Sequence, residues 1–150
     1  MLLSHLDPPP FTLHRSGRRW PAVLVCDHAS NAVPARLAQL GLHDSQLSQH
    51  IAWDIGAAQL AAALSQRLHL PLVSSGYSRL VVDCNRSPDD AEAFRKESDG
   101  WTIPGNQLLT EYDRRVERGG RRVPLAGGDN LGLDDVAKPQ RAGRGIIGYL

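Results

Sequence analysis

The chain has 150 residues, 41% of them hydrophobic and 22% charged, and 17 basic side chains against 16 acidic ones leave a net charge of +1. This is one domain's worth of chain with enough apolar residues for a core. The near-neutral charge argues against a nucleic-acid or membrane-surface partner held by bulk electrostatics, and no apolar stretch approaches the roughly 20 residues of a membrane-spanning helix.

The opening MLLSHLDPPPF lacks the basic region and long apolar run of a secretory signal, and its consecutive prolines predict an extended arm. Cys26 and Cys84 lie in or at the end of apolar runs, where reduced thiols are the common finding. Together these features predict a cytoplasmic protein. AVLVC (residues 22–26) is a continuous apolar run, the pattern of a strand covered on both faces. ARLAQLGL (35–42) follows Pro34 with helical spacing and a stop at Gly41.

Ser48 can cap a long helix running through residues 49–70, with Ile51, Ile55, Ala58, Ala62 and Leu68 on or near one face. Pro71 ends it, PLVSSGY reads as a second strand, and Leu80 to Cys84 reads as a third. The order predicts an α/β fold, a mixed, mostly parallel open sheet flanked by helices. LLTEYDRRVE (108–117) begins another amphipathic pattern, after which the Gly- and Arg-rich residues 118–150 predict irregular structure. Two regions follow, 1–117 and 118–150.

Polar side chains at the carboxyl ends of strands in an open α/β sheet face the crevice where ligands bind. Asp27 and His28 occupy one such end, and Asp83, Asn85 and Arg86 another. His50 and Asp54, four apart on the expected helix, would share a face. Each group also has a plain structural use: His28 as a hydrogen-bonded turn residue, His50 and Asp54 as a surface pair, Arg86 paired with Asp83 or Asp89, and Arg79 paired with Asp83.

Four blocks, DHASNAVP (27–34), HIAWDIGA (50–57), SRLVVDCNR (78–86) and SDGWTIPGN (98–106), resemble in order and spacing the N-formylglutamate amidohydrolase family. The resemblance covers the chain to about Glu117, the N-terminal half of such a protein; no His follows His69 to match the family's later His, and no strand precedes the late acids to match its Glu. It implies a fold similar to the zinc exopeptidases and hydrolysis of the amide of N-formylglutamate or a related N-acyl amino acid, as in histidine degradation. It also implies a divalent metal, zinc first, with His28 as a ligand and Asp54 as the acidic one, since Asn31 stands where the exopeptidases carry Glu. Asn85 and Arg86 match a pair that grips a substrate carboxylate, a chemistry suited to the planar guanidinium fork. Ser30 and Asn31 join them as substrate contacts, Arg79 is assigned to oxyanion stabilisation, and Asp27, His50 and Asp83 are placed behind the ligands. The partner expected is a small N-acyl amino acid. The alternatives are a carboxylate-binding remnant without catalysis and an inactive truncated product.

Overall fold

Elements of a computed structural model of the chain follow the apolar runs of the sequence, with three departures. The structure describes residues 3–14, 22–87 and 90–107, and the backbone alone of 122–124, 130–132 and 146–149. β1 (Phe11–His14) continues the proline arm and pairs antiparallel with β3 (Leu72–Ser75), which in turn pairs parallel with β2 (Ala22–Cys26). The arm is fixed beyond its strand, because Gly76 N–H donates to the Pro10 carbonyl at 2.8 Å and the Tyr77 hydroxyl donates to the Pro8 carbonyl. Gly76 has no side chain for a reason: a Cβ there would lie 2.0 Å from the Pro9 carbonyl oxygen.

The first departure concerns residues 35–42. Ala35–Gly41 is a 3₁₀ turn, not an α-helix, and it ends with Ala38, Gln39, Leu40 and Gly41 at φ of 45, 55, 56 and 74°. Left-handed backbone costs a non-glycine residue roughly 1–2 kcal/mol. What offsets it is burial: the reversal turns Leu40 and Leu42 inward, 3% and 4% exposed, into a core cluster with Leu47, Ile51, Ala52, Leu80 and Ile103.

The second departure is the long helix. Ser48 starts no helix; instead a single turn α1 (Asp44–Leu47) and a three-turn α2 (Ala57–Leu68) flank an irregular stretch, and Gly56 at φ 88° opens α2. A continuous helix would bury only one stripe, whereas the break sends Ile51 and Ala52 into the core and leaves Ile55, 66% exposed, outside. Leu68 is exposed too, and α2 buries Ala61 against Leu24, Cys26 and Leu72 in a second cluster. His69 in the left-handed conformation closes α2 two residues before Pro71.

The third departure is the expected strand Leu80 to Cys84. These residues form turns: Val81 N–H returns to the Ser78 carbonyl at 3.0 Å, and the Asp83 carboxylate accepts Asn85 N–H at 3.1 Å. Self-bonding of this kind removes backbone donors from any ladder. Downstream, β4 (Glu97–Ser98) and β5 (Trp101–Thr102) form a hairpin through Asp99 and Gly100, both at positive φ, followed by the turn α3 (Pro104–Gln107). Two positive-φ residues in sequence suit a two-residue hairpin loop.

The amphipathic stretch 108–117 lies outside the described residues. Within the region expected to be irregular, the described backbone is strand: β6 (Arg122–Pro124) pairs antiparallel with β7 (Asn130–Gly132), and β8 (Ile146–Tyr149) pairs parallel with β2. The main sheet runs β1-β3-β2-β8, and the fold is mixed α/β with small sheets and few helices. Among the described residues no helix is long and apolar enough to cross a membrane.

Candidate active site

Three loops are laced together at the end of β2. Asp54 N–H donates to the His28 carbonyl at 3.0 Å, Arg79 N–H to the Ala52 carbonyl at 3.1 Å, and Ser78 N–H to the Ala32 carbonyl at 2.8 Å. The buried Ser78 hydroxyl adds a bond to the Ala52 carbonyl at 2.7 Å. These bonds bring the loops after β2, before α2 and after β3 to one place, and each carries a charged side chain of the site.

His28 sits at the centre, 5% exposed. Its Nδ1 lies 3.1 Å from Asp54 Oδ2 and its Nε2 2.6 Å from Asp83 Oδ1. Arg79 bridges the same two acids, Nη1 to Asp54 Oδ1 at 2.9 Å and Nη2 to Asp83 Oδ2 at 3.3 Å. Arg86 Nε stands 3.5 Å from Asp83 Oδ2, and its Nη1 reaches Asp90 Oδ2 at 3.1 Å.

The energetics follow from burial and charge. Asp83 is 2% exposed; burial alone would raise its pKa, but the bond and charge of His28, the Asn85 N–H and Arg79 bring it down to about 2. Burial alone would likewise lower the pKa of His28, yet the hydrogen bond and charge of Asp83 and the bond to Asp54 outweigh it and raise the value. A buried imidazolium between two carboxylates, with a guanidinium across them, is the state this geometry favours. Burial raises the pKa of Asp27 beside them. It also raises the thiol of Cys26 and pushes that of Cys84 up to about 11, so neither is a thiolate nucleophile at neutral pH.

The residues singled out in the sequence divide here. His28, Asp54, Arg79, Asp83 and Arg86 form one connected cluster, and Asn85 joins it through its backbone N–H. The His28 ring nitrogens face Asp54 and Asp83 rather than Asp27. His50 and Asp54 do not share a helical face, because the backbone at 48–56 is not helical; His50 Nε2 instead faces Asp99 Oδ2 at 3.4 Å with both side chains about two-thirds exposed. Ser30 Oγ accepts the Ala32 N–H, and Asn31 donates to the Leu47 carbonyl at 3.0 Å while lining a separate cleft of about 280 Å³ with Gln39, Asp44 and Ser48.

Two residues of the cluster's frame were not singled out. Asp90 pairs with Arg86, the i, i+4 spacing being the available signal. Asn106, 1% exposed, donates to the carbonyls of Leu80 and Arg95, both at 2.8 Å, and so ties α3 to the Arg79 loop. An Asn after a Pro-Gly turn gives no sequence signal for that.

For a divalent metal, His28 Nδ1 and Asp54 Oδ2 are a suitable donor pair, with Asp83 on the other ring nitrogen in the usual place of an orienting carboxylate. Among the described residues no group of three or more His, Cys, Asp or Glu side chains is placed to hold an ion. A catalytic zinc ordinarily takes three protein ligands. The cluster therefore fits part of such a site.

Comparison with known proteins agrees with the motif blocks. The family model described as N-formylglutamate amidohydrolase matches residues 20–123. A gene product of Agrobacterium tumefaciens with a known crystal structure is similar at a TM-score of 0.72 and 36% identity, over 77% of this chain and 47% of that one. The chain thus spans about half the length of that neighbour. No curated protein matches it. All four blocks that build the charged cluster and its frame fall inside the matched range, and the chain belongs to the N-formylglutamate amidohydrolase family.

Proposed function

We propose that this cluster is the active-site half of an amide hydrolase acting on N-formylglutamate or a related N-acyl amino acid, in a region, residues 1–117, built on a zinc-exopeptidase-like open sheet flanked by helices. The observation that carries the reading is the convergence of His28, Asp54, Arg79 and Asp83 from three loops within hydrogen-bond reach. Family membership supports the reaction class.

His28 Nδ1 and Asp54 would hold a divalent ion, zinc first; such an ion lowers the pKa of a bound water and polarises a carbonyl. A catalytic zinc site also needs a third ligand and a proton-transferring acid. Asp83 keeps the His28 ring in one orientation through Nε2–H. Arg79, its side chain 20% exposed, places a cation beside Asp54, where negative charge would develop on the acyl oxygen. Arg86, at the edge of the cluster, offers its guanidinium to the substrate carboxylate, with Asn85 beside it.

Calorimetric titration of the 150-residue chain with N-formylglutamate tests the reading. Arg86→Ala should weaken binding by roughly 1.5–3 kcal/mol, the range for hydrogen bonds to a charged group. Equal affinity in the two proteins would remove Arg86 from the substrate site.

A further inference from the structure

Arg86 is not a free fork. A guanidinium offers a carboxylate two forks, Nε–H with one terminal nitrogen or the two terminal nitrogens together. Here Nε faces Asp83 and Nη1 is bonded to Asp90. Each fork thus has one nitrogen already turned to a carboxylate of the chain itself.

The two occupants differ in what holds them. Asp83 is 2% exposed, and its oxygens also serve His28, Arg79 and the Asn85 N–H, so it cannot swing away without leaving buried charge unpaired. Asp90 is the movable one. Its side chain is 36% exposed, and its other oxygen, Oδ1, caps the following 3₁₀ turn (Ala91–Phe94) by accepting Glu92 N–H at 2.8 Å. That cap does not depend on Arg86.

We propose that Asp90 is an internal competitor for the Arg86 guanidinium: its carboxylate occupies the fork when the site is empty, and the carboxylate of an N-acyl amino acid binds by displacing it. Asp90 therefore sets affinity and eases release of a product that keeps the same carboxylate, without touching the reacting amide. The proposal rests on the reading of Arg86 as the carboxylate grip and adds to it a residue outside the cluster's other contacts.

The substitution Asp90→Asn isolates the effect, because Asn keeps the cap while losing the charge. Titration with N-formylglutamate, followed on the Arg86 Nε–Hε NMR signal of the full chain, should give about 2- to 5-fold tighter binding in Asp90→Asn, the scale of a partly exposed ion pair. Asp90→Ser, also a good cap but too short to reach Arg86, should behave alike. The diamide analogue of the ligand, with both carboxylates replaced by carboxamides, offers no charged fork partner and should bind wild type, Asp90→Asn and Asp90→Ser equally. Unchanged or weaker binding in Asp90→Asn and Asp90→Ser, with Arg86→Ala still weakening it, would make Asp90 an orienting residue and overturn the competition. Affinity unchanged by Arg86→Ala, or an Arg86 signal unmoved by ligand in wild type and both Asp90 variants, would overturn it together with the grip.

Discussion

Replacing Asp83 by Asn should be the most damaging single change in the cluster, and its cost should depend on pH in a specific way. The carboxylate serves His28 Nε2 at 2.6 Å, Arg79 Nη2 at 3.3 Å, Arg86 Nε at 3.5 Å and Asn85 N–H at 3.1 Å. Asn supplies one acceptor oxygen and turns an NH₂ toward donors. Removing one partner of a buried ion pair costs about 3–5 kcal/mol, because the other charge stays buried and unpaired. The titration gives a consistent scale: a carboxyl held at about 2 against an ordinary 3.8 contributes on the order of 2 kcal/mol at neutral pH.

The signs of the two titrations set the window. Asp83 has a lowered folded-state pKa, so its contribution is present above 3.8 and fades as pH falls toward about 2. His28 has a raised one, so its contribution is complete below 6.5 and fades as pH rises through the folded value. The stability gap between wild type and Asp83→Asn should therefore be widest between about pH 4 and 6.5 and narrow on both sides. Urea denaturation followed by far-UV circular dichroism from pH 2.5 to 9 measures it. A gap under about 0.5 kcal/mol at pH 5.5, the size of an ordinary surface substitution, would refute the reasoning, as would a gap that does not change with pH.

Two further outcomes follow from close approaches. In Gly105→Ala the new Cβ would sit 2.9 Å from Leu40 Cα, backbone that is already left-handed and cannot yield cheaply; thermal unfolding should show a loss of about 1–3 kcal/mol, and an unchanged Tm would mean that the turn at 38–41 is softer than described. In Gly76→Ala the Cβ would overlap the Pro9 carbonyl oxygen, so the arm and β1 should detach, with faster amide exchange at residues 11–14 and no change at His28; protection equal to wild type would contradict the docking of the arm.

The sequence was most legible where a residue's role is local. The continuous apolar runs marked β2 and β3, the alanines marked α2, and the four motif blocks pointed at the loops that carry the cluster. It was misleading where tertiary bonds override propensity. Ile51 and Ile55 have helical spacing, yet the bond from Asp54 N–H to His28 and the burial of Ile51 and Ala52 break the helix, with Gly56 as the one local sign. Residues 80–84 are β-branched and apolar enough for a strand, but Asp83 spends its carboxylate on His28 and its own turn. Arg86 was expected against Asp83 or Asp89; it meets Asp83 and Asp90, one position on, and Asp89 lies outside the described residues.

Everything rests on one imidazole held between two carboxylates. Long-range ¹⁵N–¹H NMR correlation of the His28 ring across a pH titration reads that directly. In the metal-free chain both ring nitrogens should be protonated at pH 6, with a midpoint above 6.5 that drops in Asp83→Asn. A ring that is neutral at pH 6, or a midpoint that Asp83→Asn leaves in place, would contradict it.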